Sequence, residues 1–165
     1  MSATAAYENI RIERIDDRFE HWDELLDLIL RSFAYMDGVI DPPSSTHRLT
    51  IPALKEKALK EVGFFAIKGS RLRGCVFIAE RSNDFYLGKL AVEPEAQGSG
   101  IARKLLEIAE FQARKSGKLA IELQTRVELS ANQDTFRHFG FTEIARTAHE
   151  GYNRPTSVTT RKALS

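Results

Sequence analysis

A single cysteine, Cys75, leaves no disulfide possible within this chain of 165 residues. It lies in the apolar run Cys75-Val76-Phe77-Ile78-Ala79, where a buried structural thiol is expected rather than a catalytic or metal-binding one. Charge of one sign is also lacking. Lys plus Arg total 24 against 23 for Asp plus Glu, a net charge of +1. That balance supplies no broad basic field for gripping nucleic acid or an anionic membrane, and neither is expected as a partner. Nowhere are consecutive apolar residues numerous enough to span a bilayer, and the first ten residues lack a basic region followed by an apolar core. These absences predict a soluble, cytoplasmic chain. The four histidines, His21, His47, His138 and His149, show no ligand spacing with cysteine or acidic partners, so no metal site is expected.

What is present reads as one domain over residues 1–165, long enough to bury roughly two thirds of its unfolded surface. Residues 9–13 alternate polar and apolar like a half-buried strand, and Asp17 with Glu20 has the spacing of a capping box. The helix that follows carries Phe19, Trp22, Leu25, Leu26, Ile29, Leu30 and Phe33 on one face. Between Ser32 and Thr50 a glycine, paired prolines and hydroxyl residues predict a long loop, a kind of segment that is often functional. Thr50 with Pro52 opens a second helix to about Val62, and three strands follow at 64–68, 72–81 and 85–92. A helix at 100–116, a strand at 119–124, a short helix at 130–139 capped by Ser130, and two strands at 142–148 and 157–162 complete the order β-α-α-β-β-β-α-β-α-β-β. Early antiparallel strands with a late strand–helix–strand crossover predict an α/β (α+β) fold, a mixed sheet covered on both faces.

The informative segment is Leu90-Ala91-Val92 followed, after Pro94, by Gln97-Gly98-Ser99-Gly100-Ile101-Ala102 entering a helix. A helix start presents free N–H groups and the positive end of a dipole, and glycine permits positive φ and close approach of a phosphate. Alone, the pattern fits either an anion site or a tight turn. No Lys-Ser or Lys-Thr follows the second glycine, so a nucleoside-triphosphate loop is excluded. No third glycine is followed by an acidic strand end, so a dinucleotide fold is excluded as well.

Gln-Gly-Ser-Gly-Ile-Ala after a Leu-Ala-Val strand resembles the acyl-CoA pyrophosphate loop of the GNAT N-acetyltransferase superfamily, and Asn132, Phe136 and Phe139-Gly140-Phe141 resemble its last helix and Gly-Phe ending. The motifs cover about 86–141, and the element order agrees over nearly the whole chain. The resemblance implies a splayed central sheet of about seven strands in which Leu90, Ala91 and Val92 pair with the pantetheine amides of acetyl-CoA. It implies that Gln97, Gly98, Ser99, Gly100, Ile101 and Ala102 hold the pyrophosphate. Asn132 would bond the pantetheine arm, and Phe136 would lie near the sulfur. The activity implied is transfer of an acetyl group from acetyl-CoA to a primary amine, directly in a ternary complex. A small-molecule amine is the acceptor expected. A silent acyl-CoA sensor and an acetyltransferase of protein N-termini or lysines are the alternatives, and exposed late strands suit a homodimer.

Phe136 stands where this superfamily often carries a tyrosine that protonates the departing sulfur, and phenylalanine cannot donate a proton. Tyr35 in the long loop and Tyr152 in the loop between the last strands are the substitutes considered, with bulk water as the simpler proton source. For the base, Glu122 shares one strand face with Ala120 and Gln124. It either serves catalysis or is paired structurally, with Arg126 and Arg73 as the expected partners. His149 and the group Asp41, Ser44, Ser45 and His47 are further rim candidates, and Arg103 or Lys104 are candidates for touching a cofactor phosphate.

Overall fold

The structure, a computed structural model, describes residues 10–164. Strand β1 (Ile10–Arg14) runs antiparallel to β2 (Val62–Lys68), and the expected first residue of that strand, Asn9, lies outside the described residues. Helix α1 spans Trp22–Phe33 and α2 spans Ile51–Lys60; β3 (Arg71–Glu80) and β4 (Asp84–Val92) continue the antiparallel run. Helix α3 (Ile101–Lys115) crosses to β5 (Ala120–Arg126), and α4 (Ser130–His138) precedes β6 (Thr142–Thr147) and β7 (Ser157–Ala163). One mixed seven-stranded sheet results, ordered β1-β2-β3-β4-β5-β7-β6, with β4 and β5 its parallel pair. The expected element order and mixed sheet are both found.

Boundaries differ where tertiary contacts outweigh local signals. Asp17 and Glu20 form no capping box: α1 begins at Trp22 after His21, which makes no side-chain cap bond. The carboxylate of Asp16 instead accepts from the Arg18 N–H, making a separate turn. In α1 the core takes Leu25, Leu28 and Ile29, whereas Leu30 is 39% exposed, so the stripe is rotated from the one expected. Thr50 does cap α2, accepting from the Ala53 N–H at 3.3 Å, but that helix ends at Lys60 because Val62 is drawn into pairing with Ile78. Ser130 is already helical in α4, and Leu129 occupies the cap position.

The sheet separates two apolar layers. On one face Phe64, Val76, Ile78, Phe85, Leu87, Ile121 and Leu123 pack under Ile101, Leu105, Leu106 and Ala109 of α3. On the other, Phe65, Cys75 and Phe77 meet Leu25, Leu28, Ile29 and Leu54 of α1 and α2. A Cβ at Gly74 would lie 2.8 Å from Ile101 and 2.9 Å from the Ala91 carbonyl. Glycine there lets the start of α3 press against β3 and β4, which fixes the preceding loop at the end of β4.

Two irregularities open the sheet. Strands β4 and β5 pair only through Asp84–Ala120, Phe85–Ile121 and Tyr86–Glu122. Beyond that vertex β5 stays with β7, while β4 bulges: Val76 of β3 faces both Lys89 and Leu90, and Lys89 has φ 49°. The edge of β4 from Leu87 to Val92 therefore borders a gap, with no β5 partner.

Candidate acyl-CoA site

At the end of β4 the chain turns through Pro94–Ala96, and Gly98 and Gly100 take φ of 85° and 89° before α3 begins. Both values lie where a side chain is strained and glycine is not. The N–H groups of Gly98, Gly100, Ile101, Ala102 and Arg103 find no backbone acceptor among the described residues, as a helix start requires. A Cβ at Gly98 or Gly100 would meet no protein atom within 4 Å, so the donors front open space. Gln97 through Gly100 are exposed, and the first turn of α3 holds no acidic residue. Arg103 lies 5.5 Å over the Phe139 ring and Lys104 is exposed, so two cations flank the donors. Donors, dipole and cations together form a cradle whose chemistry fits an anion such as a pyrophosphate.

Asn132 and Phe136 stand one turn apart on α4. The Asn132 amide donates to the Tyr35 hydroxyl at 2.7 Å, and Phe136 packs edge-on against Phe141 at 5.7 Å. Cys75 is fully buried, and burial first of all pushes its thiol up to about 12. It stays protonated and offers no nucleophile for a covalent acyl intermediate.

The model of the acetyltransferase (GNAT) domain matches residues 60–143, just over half of the chain. This chain belongs to the GNAT family of acetyltransferases. An IAA acetyltransferase of Azospirillum brasilense is 29% identical over 123 residues, covering 73% of this chain and 78% of that protein. N-alpha-acetyltransferase 30 of Saccharomyces cerevisiae is 41% identical over 61 residues, 37% of this chain and 35% of that protein. The PaiA N-acetyltransferase of Thermoplasma acidophilum, solved in complex with coenzyme A, superposes with a TM-score of 0.77 at 18% identity, covering 94% of this chain and 99% of that one. Its splayed seven-stranded sheet is thus the GNAT fold.

Within this GNAT frame the remaining candidates fall into separate places. Glu122 lies at the vertex of the splay on the α1/α2 face, where its carboxylate accepts from Arg81 and from Arg161. Neither expected partner is there: Arg126 donates to the carbonyls of Pro42 and Pro43, and Arg73 binds Glu93. Asp84 shares both of Glu122's arginines, at 2.6 Å from Arg81 and 2.7 Å from Arg161, so two anions and two cations cancel at the vertex. Tyr152 donates to Asp41 at 2.7 Å, and that bond raises its pKa first of all by holding the proton. The Tyr35 hydroxyl, by contrast, accepts from Asn132, and among the described residues no acceptor meets its own hydrogen. Burial and the charge of Arg126 lower the pKa of His149, whose Nδ1 meets Thr156 Oγ1. His47 pairs with Asp37 at 2.7 Å, Ser44 accepts from the Thr46 N–H, and Ser45 meets Lys89. Among the described residues no group of three or more His, Cys, Asp or Glu could hold a metal ion, and no helix is long and apolar enough to cross a membrane.

Sequence reasoning missed Glu93, whose only local signal is its place before Pro94. Its side chain is fully enclosed, and it binds Arg31 at 3.2 Å together with Arg71 and Arg73. Its N–H also donates to the Arg73 carbonyl at 2.8 Å. These bonds tie the base of the cradle to α1 and β3. Burial pushes the Glu93 carboxyl up, but Arg73, Arg31 and Arg71 together outweigh it and hold the pKa below the ordinary value. A depressed carboxylate contributes stability that is present above its unfolded pKa, about 4.3, and is lost as pH falls through the folded value. Glu93→Gln is therefore expected to melt several degrees below the parent at pH 7, with the gap narrowing below about pH 4.3. Thermal melts across pH check this, and a gap that stays constant into acid would show that the ion pairs contribute nothing.

Proposed function

We propose that this GNAT protein moves an acetyl group from acetyl-CoA to a primary amine of a small molecule, by direct transfer in a ternary complex. One observation carries the reading: a cradle of unpaired N–H groups facing open space, set beside a strand edge that has no partner. In this reading Gln97–Ala102 hold the pyrophosphate, the free edge at Leu90, Ala91 and Val92 pairs with the pantetheine amides, and Asn132 and Phe136 close the far wall. The gap between β4 and β5 receives the thioester, and the amine enters from the α1/α2 face.

The amine nitrogen forms a bond to the thioester carbonyl carbon, the carbon–sulfur bond breaks, and its electron pair leaves as thiolate. A lysine-like amine has a pKa of about 10.4, so removing its proton near neutrality costs about 4 kcal/mol. A thiol of pKa about 8.5 leaves readily and takes its proton from water. The base therefore matters more than the acid, which is why Phe136 is tolerable at the sulfur. Glu122, the anion at the vertex, is assigned to receive the amine's proton, directly or through one water. Tyr35, whose hydroxyl accepts from Asn132, can turn its own hydrogen towards the sulfur as an alternative proton source.

Acetyl-CoA at about 100 times its dissociation constant is expected to raise the melting midpoint by about 5–10 °C, from roughly 2.7 kcal/mol of linkage. Release of free thiol with a panel of amines then measures turnover. An unchanged midpoint sinks the cofactor assignment. A raised midpoint without thiol release from any amine would mark a sensor of the cofactor instead.

A further inference from the structure

We infer that the acceptor amine also carries a carboxylate, and that Lys89, at the bulge of β4 beside Ser45, receives it. The inference deepens the proposed transfer reaction and rests on it. Lys89 lies past the vertex, at the free stretch of β4, and its Nζ donates to Ser45 Oγ at 3.3 Å, bridging the sheet to the long loop. Several cations of this face are matched, and Arg48 and Lys55, which meet no carboxylate among the described residues, are exposed to solvent. Lys57 pairs with Glu61 at 2.8 Å, Arg81 and Arg161 with Asp84 and Glu122, His47 with Asp37, and Arg154 with Asp41. Arg126 is engaged by two carbonyls. Among the described residues Lys89 meets no carboxylate, although it is half-buried.

That arrangement is unfavourable for the free protein. Burial, and then the charge of Lys57, lower the pKa of Lys89, while Glu61 is already engaged by Lys57. Its backbone also holds φ 49°, a conformation glycine takes more easily than lysine. An ammonium kept in such a place, on the free stretch of β4 with a hydroxyl beside it, is completed by an incoming anion. The carboxylate of an amino acid supplies that anion on the molecule that supplies the amine.

Matched acceptors test this: L-phenylalanine against phenethylamine, L-leucine against isopentylamine, and β-alanine against ethylamine. The acid of each pair is expected to be preferred by about 10-fold to 100-fold in kcat/KM, the size of one charged hydrogen-bond pair. Lys89→Met is expected to remove that preference through the KM of the acids, and Lys89→Arg to retain it. 3-Phenylpropionate, which keeps the carboxylate and lacks the amine, is expected to inhibit the parent competitively against the acceptor, independently of whether a variant folds. Equal use of acids and amines, a preference that survives in Lys89→Met, or no inhibition by 3-phenylpropionate would each overturn the inference while leaving acetyl transfer standing. Absence of turnover with every acceptor would instead sink the transfer reading, and the inference with it.

Discussion

Glu122→Gln is expected to lower kcat/KM for the best amine by about 10²-fold to 10⁴-fold, the range a general base contributes. The substitution keeps the shape of the side chain and a carbonyl oxygen that still accepts from Arg81 or Arg161, but it removes the anion that takes the amine's proton. Because Asp84 binds both arginines as well, their guanidinium groups are not left unpaired, and the fold is expected to survive. Acetyl-CoA affinity is expected to be unchanged, since the cradle lies at the other end of the gap. The pH–rate profile checks the assignment. A rate that recovers as pH is raised, when more of the amine is already neutral, identifies a lost base. A kcat/KM within threefold of the parent at neutral pH would assign Glu122 to the ion-pair group alone.

The second large effect belongs to Gly100. Valine at φ 89° is strongly disfavoured, so Gly100→Val either carries a strain of about 1–3 kcal/mol or rotates the residue out of the left-handed region. Rotation would redirect the N–H groups of Gly100 and Ile101. Retention would place a branched side chain in the open space that they face. Either outcome is expected to raise the dissociation constant of acetyl-CoA about 100-fold, equivalent to about 2.7 kcal/mol, with a loss of only a few degrees in melting midpoint. An added Cβ at this position would meet no protein atom within 4 Å, so the β-carbon itself finds room in the fold. Calorimetry on the folded variant decides the matter, and parental affinity would show the loop to be a turn and no more.

The ion pairs of Glu93 and the bulge at Lys89 put two kinds of constraint on the cradle and the gap. Glu93 anchors the loop from behind, through residues of α1 and β3, so the donors are held before any ligand arrives. Preorganisation of this kind spares the ligand the cost of ordering the loop. The tie between Tyr35 and Asn132 does the same for the opposite wall, where a loop residue braces the helix proposed to meet the pantetheine arm.

By itself the sequence determined the element order, the mixed sheet, the glycine-rich turn between Gln97 and Ala102, and the face of β5 that carries Glu122, because all of these follow from local periodicity, glycine placement and strand alternation. Local signals also placed Thr50 as the cap of α2, where a side chain need reach only three residues ahead. They failed at the start of α1 and in its stripe, where docking onto the sheet, rather than the helix's own pattern, selected Leu28 over Leu30. Only the tertiary structure decided which charges meet. Glu93 finds arginines 20, 22 and 62 residues away, Asn132 finds a tyrosine 97 residues back, and Glu122 chooses Arg81 and Arg161 over the partners its strand suggested. Strand register brings Arg161 opposite Glu122, and the bulge in β4 turns Lys89 towards Ser45; both arise from pairing between strands, which a one-dimensional pattern of apolar and polar residues does not encode.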